Sequence, residues 1–225
     1  MAAQDQWTAV DTYLTDLVVQ PEAALGAALI ASTAAGLPSI AVSAPQGKLL
    51  MLLAKMIQAR DILEIGTLGG YSTIWMARAL AKGGRLVTLE SNPAHAEVAR
   101  SNVAHAGLGQ VVEVIVGPAI ETLPALVESR RGPFDLIFID ADKPGIPEYF
   151  AWSLKLARRG SAIVVDNVVR DGALIDSASA DANVQGVRRF HEMIAAEPRV
   201  SCTTIQTVGS KGYDGFTVAV VLAES

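Results

Sequence analysis

The stretch Asp61-Ile62-Leu63-Glu64-Ile65-Gly66-Thr67-Leu68-Gly69-Gly70-Tyr71-Ser72 decides the fold of this chain. Its first half, Ile62–Ile65, is a short and mostly apolar run, three glycines follow, and from Tyr71 to Leu80 apolar residues recur at helical spacing. A strand that passes through a glycine turn into a helix is the opening unit of a doubly wound α/β sheet. The same alternation continues downstream, with strands expected at Arg85–Glu90, Val111–Val116, Phe134–Ile139 and Ser161–Val165. Helices are expected at Tyr71–Leu80, Pro93–Ala106, Ile120–Ser129, Pro147–Leu156 and Asp181–Ala196. Strands that are apolar almost throughout are covered on both faces, and strand-helix-strand order implies right-handed crossovers into a mostly parallel sheet. The last two candidate strands, Val200–Gln206 and Phe216–Val221, are joined by a glycine-rich turn, GSKGYDG, with no helix between them, so they should pair antiparallel at one side of the sheet. Upstream, Trp7–Val18, Pro21–Ala35 and Gln46–Gln58 read as helices. The expectation is one domain over residues 1–225, with an N-terminal helical cap (1–58) on an α/β core (59–225).

Composition fits that picture. With 225 residues, 51% hydrophobic and 18% charged, the chain can bury a sizeable core. Eighteen Lys and Arg against 23 Asp and Glu give a net charge of −5, which supplies no overall basic field for nucleic acid. A local patch around Arg158, Arg159, Arg188 and Arg189 keeps that partner class in view. The single cysteine, Cys202, cannot close an internal disulfide and is expected to be a small buried residue. Met1–Val10 lacks the pattern of a signal peptide, and the apolar stretch Ala23–Ala31 falls short of the ~20 residues of a membrane span, so a cytoplasmic protein with no membrane partner is expected. Met51, Met56 and Trp75 are expected in the core, and His95, His105 and His191 away from the chemistry.

In an open α/β sheet, ligands sit outside the carboxyl ends of the strands. The first strand carries Glu64 and runs into Gly66; a dinucleotide fingerprint starting there needs glycine where Leu68 stands. A carboxylate at this place would repel a diphosphate and attract an ammonium group. Glu90 ends the second strand, where an acidic side chain accepts hydrogen bonds from ribose hydroxyls. Ribose plus an α-amino acid without pyrophosphate describes S-adenosylmethionine. The turn Gly117-Pro118-Ala119 ends the third strand and offers backbone to an adenine. The fourth strand ends in Asp140-Ala141-Asp142-Lys143 and the fifth in Asp166-Asn167. Asp140, Asp166 and Asn167 bring only oxygen donors, which suit Mg²⁺ or a similar hard cation such as Mn²⁺ or Ca²⁺ rather than zinc. Lys143, beside them, is the candidate proton acceptor.

Five segments, VSAPQG (42–47), LEIGTLGGYST (63–73), FIDADK (138–143), VVDNVVRDG (164–172) and DGFTVA (214–219), resemble in that order the cation-dependent O-methyltransferases that include catechol and caffeoyl-CoA O-methyltransferases. The resemblance implies a seven-stranded class I methyltransferase fold with the last strand inserted antiparallel. It implies cofactor contacts at Val42, Glu64, Gly66, Thr67, Ser72, Glu90 and Ala119, with Asp140 or Asp142 near the methionine end. It also implies Asp140, Asp166 and Asn167 as metal ligands, Lys143 as catalytic base, and Asp140, Lys143, Asn167 and Asp171 against the acceptor. A small phenolic diol is the implied substrate and a homodimer the implied assembly. Some bacterial relatives methylate a hydroxylated tRNA base instead. Arg170 stands where several relatives carry tryptophan, and Ile146 and Pro147 where polar or aromatic residues are common, so the acceptor is the part left open.

Overall fold

The computed structural model describes residues 2–223. Seven strands form one sheet: β1 Asp61–Ile65, β2 Arg85–Glu90, β3 Val112–Val116, β4 Phe134–Ile139, β5 Ala157–Asp166, β6 Val200–Gly209 and β7 Gly212–Val221. Their order is β3-β2-β1-β4-β5-β7-β6. Strands β1 to β5 are parallel, and β7 lies between β5 and β6, antiparallel to both. The helices are α1 Ala3–Leu14, α2 Ala23–Ala34, α3 Ala44–Met56, α4 Tyr71–Ala77, α5 Pro93–His105, α6 Ala119–Glu128, α7 Ile146–Leu156 and α8 Ala182–Ala195. This is the doubly wound fold read from the sequence.

The sheet separates two apolar cores because alternate side chains of one strand point to opposite faces. Ile62, Leu86, Leu136, Phe138 and Val164 pack with Leu50, Trp75 and Val103 on the α3–α4–α5 side. Leu63, Val87, Ile137 and Ile163 pack with Leu126, Phe150 and Phe190 on the α6–α7–α8 side. Chain order runs outward from β1 to β3 and then returns to place β4 on the other flank of β1. The crevice therefore opens at the carboxyl ends of β1 and β4, where the strand order reverses.

Several expectations are corrected. Strand β5 begins at Ala157 rather than Ser161, because the Ser161 hydroxyl receives the Arg158 N–H at 2.9 Å and donates to the Phe134 carbonyl at 2.7 Å, filling an irregularity in the β4–β5 ladder. Coverage of both faces fails at β6, which is exposed from Ser201 to Val208. Its sequence, VSCTTIQTVG, is polar enough to stand in water, and β7 occupies the inner place in the sheet. Cys202 is accordingly exposed instead of buried. Met56, at the end of α3, is 78% exposed and takes no part in the core. The first helix continues through a wider turn at Thr15–Val19 that stops at Gln20, a left-handed residue with φ 46°. It is tied to the β6–β7 turn by Gln4 Nε2 donating to the Gly209 carbonyl at 3.0 Å and by the Ser210 N–H donating to Asp11 at 2.7 Å.

Candidate active site

A cavity of about 800 Å³ opens over the switch point. Its floor is the glycine turn between β1 and α4. Gly66 has φ 99°, and a Cβ there would overlap the Asp140 carbonyl, so glycine is required by the close approach of the β4 end as much as by any ligand. Leu68 occupies the left-handed region at φ 50° without being glycine. Glu90 holds it there: one carboxylate oxygen accepts the N–H groups of Thr67 at 3.3 Å and Leu68 at 2.8 Å, and the other accepts the Asn92 N–H at 2.9 Å. The carboxylate thus shapes the turn while lining the cavity, and its three backbone bonds leave it acceptor capacity. Gly69 is pressed against the Ser32 side chain of α2, and the Asn102 amide donates to the Gly69 carbonyl at 2.8 Å and the Ala28 carbonyl at 3.3 Å. One buried asparagine therefore joins the N-terminal helices to the turn.

Glu64 lies behind this floor, fully buried and outside the cavity wall. It accepts hydrogen bonds from the hydroxyls of Ser72 at 2.5 Å, Thr88 at 2.7 Å and Thr73, and Thr88 also pairs with Thr67 at 2.5 Å. Burial pushes the Glu64 carboxyl up to about 7, against the three hydroxyls that favour its charged form. Its reach to a ligand runs through Ser72, which does line the cavity together with Val42 and Thr67. At the β3 end Ala119 lines the wall where the sequence places an adenine.

At the β4 end, Asp140, Asp142 and Lys143 all line the cavity. Lys143 is buried, held in a short 3₁₀ turn that Asp142 caps by accepting the Gly145 N–H at 3.0 Å, and its Nζ is 3.0 Å from Asp140 Oδ1. Asp142 also accepts the Tyr149 hydroxyl at 2.6 Å; burial first, and then this carboxylate, push the Tyr149 phenol up. Its side chain is thus engaged with the fold as well as facing the cavity. Asp166, ending β5, is buried behind the wall, while Asn167 lines it with φ 55°. Burial, and then the charge of Asp140, push the Asp166 carboxyl up to about 7; Lys143, the Asn167 N–H and the Gln46 side chain pull it the other way. Asp171 is exposed and set off from the cavity wall, its N–H donating to the Tyr213 carbonyl at 3.2 Å.

Two carboxylates converging on one buried spot, with Lys143 as the neighbouring cation, form a donor set that a hard divalent ion fits. The set is two carboxylates and one amide; among the described residues no group of three or more His, Cys, Asp or Glu is placed to hold a metal. Residues the sequence reading passed over also reach the site. Gln46 meets Asp166 from the first turn of α3, and its place three residues after the Ser43 N-cap, in the VSAPQG segment, was the available signal. His95 lines the cavity 3.7 Å from Glu90, although its position inside a helix pointed elsewhere. Lys211, from the β6–β7 turn, and Asn183, from α8, arrive by tertiary contact alone. Three arginines of the expected basic patch are engaged with the fold, Arg158 with Asp135, Arg188 with the Leu174 carbonyl at 2.5 Å and Arg189 with the Pro144 carbonyl at 3.2 Å, while Arg159 is exposed.

Known proteins of similar sequence and shape agree with this geometry. A catechol O-methyltransferase of Niastella koreensis is 54% identical over 94% of this chain and 96% of its own, and one of Mycobacterium tuberculosis is 56% identical over 94% of each. A crystal structure of a Bacillus cereus O-methyltransferase in complex with SAH superposes with a TM-score of 0.96 at 56% identity, covering 97% of this chain and 99% of that one. The Streptomyces achromogenes O-methyltransferase TomG, in complex with SAM, gives the same TM-score and identity over 99% and 100%. With a family model of O-methyltransferases matching residues 22–220, the chain belongs to the O-methyltransferase family.

Proposed function

We propose that this protein transfers the methyl group of S-adenosylmethionine to one hydroxyl of a catechol-like phenolic diol, with a divalent cation such as Mg²⁺ held by Asp140, Asp166 and Asn167. The observation that carries the reading is that a buried lysine and Asp140 line one end of a cavity, with Asp166 directly behind that wall, and that the other end is built by Glu90 and the glycine turn. Relatives named for catechol methylation, and neighbours holding SAM or SAH, support it.

The residues divide the work. Glu90 accepts ribose hydroxyls with the lone pairs its backbone bonds leave free, and Ser72 with Glu64 behind it offers a negative surface to the amino end of the cofactor. A cation held by Asp140, Asp166 and Asn167 would supply Lewis-acid chemistry, making a phenolic hydroxyl beside it more acidic. Lys143 Nζ, as the free amine, takes that proton, and Asp140 fixes the amine in place at 3.0 Å. The phenolic oxygen bonds to the sulfonium methyl in line as the methyl–sulfur bond breaks and S-adenosylhomocysteine leaves; positioning and exclusion of water contribute most of the acceleration.

The test is methyl transfer from labelled S-adenosylmethionine to a panel of vicinal diols, with and without EDTA, in the native chain and Asp166→Asn, which keeps an acceptor for the Asn167 N–H. Mono-methylated product that disappears with EDTA and in the variant is expected. Transfer untouched by both removes the cation, and label appearing only in modified tRNA reverses the substrate class. We also propose a cytoplasmic homodimer: Cys202 is a free exposed thiol, α1 exposes Val10, Tyr13, Leu14 and the following turn Leu17 and Val18, and the outer edge of β6 has no partner strand among the described residues. Light scattering should give about twice 23.6 kDa; a mass equal to one chain overturns it.

A further inference from the structure

Resting on that reading, the cavity names a feature of its acceptor. We propose that the methyl acceptor carries a carboxylate on the part of the molecule remote from its hydroxyls, and that Arg170, seconded by Lys211, selects it. Both side chains line the cavity on the β5–β7–β6 flank, away from the Glu90 end. Arg170 is under-used by the fold. Its Nε is buried without a hydrogen-bond partner, and its nearest carboxylate, Asp214, stands at 3.9 Å from Nη1, beyond hydrogen-bond reach. Asp214 Oδ1 accepts the N–H groups of Val169, Arg170 and Gly215, each at 2.9 Å, and only its other oxygen faces the guanidinium, at that longer distance.

The loop that carries Arg170 is held in a conformation few side chains adopt. Arg170 and Asp171 are consecutive left-handed residues with φ 56° and 53°, followed by Gly172 at 82°. Such geometry persists only where the surroundings over-determine it, and here Asp214 and the Tyr213 carbonyl grip three successive N–H groups. The outcome of that arrangement is a fixed backbone from which the Arg170 side chain reaches the cavity wall. A guanidinium presents two parallel N–H groups that match a carboxylate, and unmatched buried donors gain most from such a partner. Lys211 Nζ donates to the Ser39 carbonyl at 3.0 Å and keeps two further N–H groups. Of the cavity-lining carboxylates, Asp140 is paired with Lys143 and Asp142 is bonded by Tyr149 and Gly145, so the cationic groups on the acceptor flank that are open to a further anion are Arg170 and Lys211.

Three acceptors sharing one diol separate the possibilities: protocatechuate, its methyl ester, and catechol. With the native enzyme the acid should exceed the ester in kcat/KM by about tenfold or more, as a charge-assisted bond requires. In Arg170→Gln that ratio should collapse toward one, chiefly through a higher KM for the acid, and Arg170→Lys should keep an intermediate ratio. Added salt should also erode the preference of the native enzyme. A loop that merely held the fold would change both acceptors together and leave the ratio intact. Equal use of acid and ester by the native enzyme, or an unchanged ratio in Arg170→Gln, overturns the assignment and leaves diol methylation standing. No transfer to any of the three overturns the methyl-transfer reading itself, and this assignment with it.

Discussion

Glu64→Gln tests whether the fully buried carboxyl behind the glycine turn is a stability cost that the fold carries at neutral pH. The group moves from 4.5 to about 7, a rise of 7 − 4.5 = 2.5, with burial as the largest cause. At about 1.4 kcal/mol per pKa unit this corresponds to roughly 3 kcal/mol. The sign follows from proton binding. A carboxyl whose pKa is higher in the folded state binds its proton more tightly there, so the penalty is absent below about 4.5, grows as pH rises, and is complete above about 7. Asp166, raised from 3.8 to about 7, acts in the same direction, so the native chain should lose stability continuously from about pH 4 to about pH 7. In Glu64→Gln the amide cannot ionise. Its NH₂ must face a hydroxyl oxygen of Thr73, Thr88 or Ser72, and that exchange shifts stability by an amount independent of pH. Urea denaturation of both proteins in EDTA, at several pH values across that window, isolates Glu64 as the difference between two curves. The variant should gain on the native chain by up to about 3 kcal/mol across the window. Parallel curves, with a constant offset at every pH, would refute the reasoning.

Other perturbations follow from the same contacts. Lys143→Met should lower the rate of methyl transfer by about 10²–10⁴, measured in single-turnover assays; an undiminished rate would show that Lys143 is not the proton acceptor. Asn102→Ala leaves the Gly69 carbonyl without its side-chain donor, the Ala28 carbonyl keeping the Ser32 hydroxyl, and should cost roughly 1–3 kcal/mol in thermal unfolding; an unchanged Tm would show that α2 is held by packing alone. Gly47→Ala drives a methyl into the Trp75 indole and should destabilise by roughly 1–3 kcal/mol with an altered tryptophan emission, whereas a silent substitution would mean that α3 can slide over α4.

The fold was legible because its interior strands are written as apolar runs. Leu63, Ile137 and Ile163 have no polar alternative to burial, and the glycines at 66, 69 and 70 mark where β1 must turn. What stayed hidden has one cause, the dependence of a side chain's surroundings on residues far along the chain. Cys202 reads as a strand residue, and it is one; its exposure follows from β7 taking the inner place, a matter of sheet order that no local pattern encodes. Met56 sits on an apolar helical stripe whose last turn overhangs the core. Gln46 and Lys211 belong to the site through contacts from α3 and from the β6–β7 turn, and His95 through the proximity of α5 to the end of β2.

The acidic residues show most directly how sequence and structure differ in what they reveal. Read along the chain, Glu64, Glu90, Asp140, Asp142 and Asp166 all look like groups held out to a ligand. In the fold, Glu90 fixes the left-handed Leu68, Asp142 caps the turn that carries Lys143, and Asp214, which no motif reading assigned a part, fixes Arg170. A carboxylate has about four acceptor sites, so shaping a loop leaves room for a ligand. The two tasks are then coupled. A cofactor that bonds Glu90 acts on the same group that holds the glycine turn, and truncating Glu90 to alanine would loosen Thr67 and Leu68 before any ribose is lost. An acidic strand end is therefore better probed by Asp→Asn or Glu→Gln, which keeps an acceptor oxygen for the backbone, than by alanine, which removes the loop and the ligand contact together.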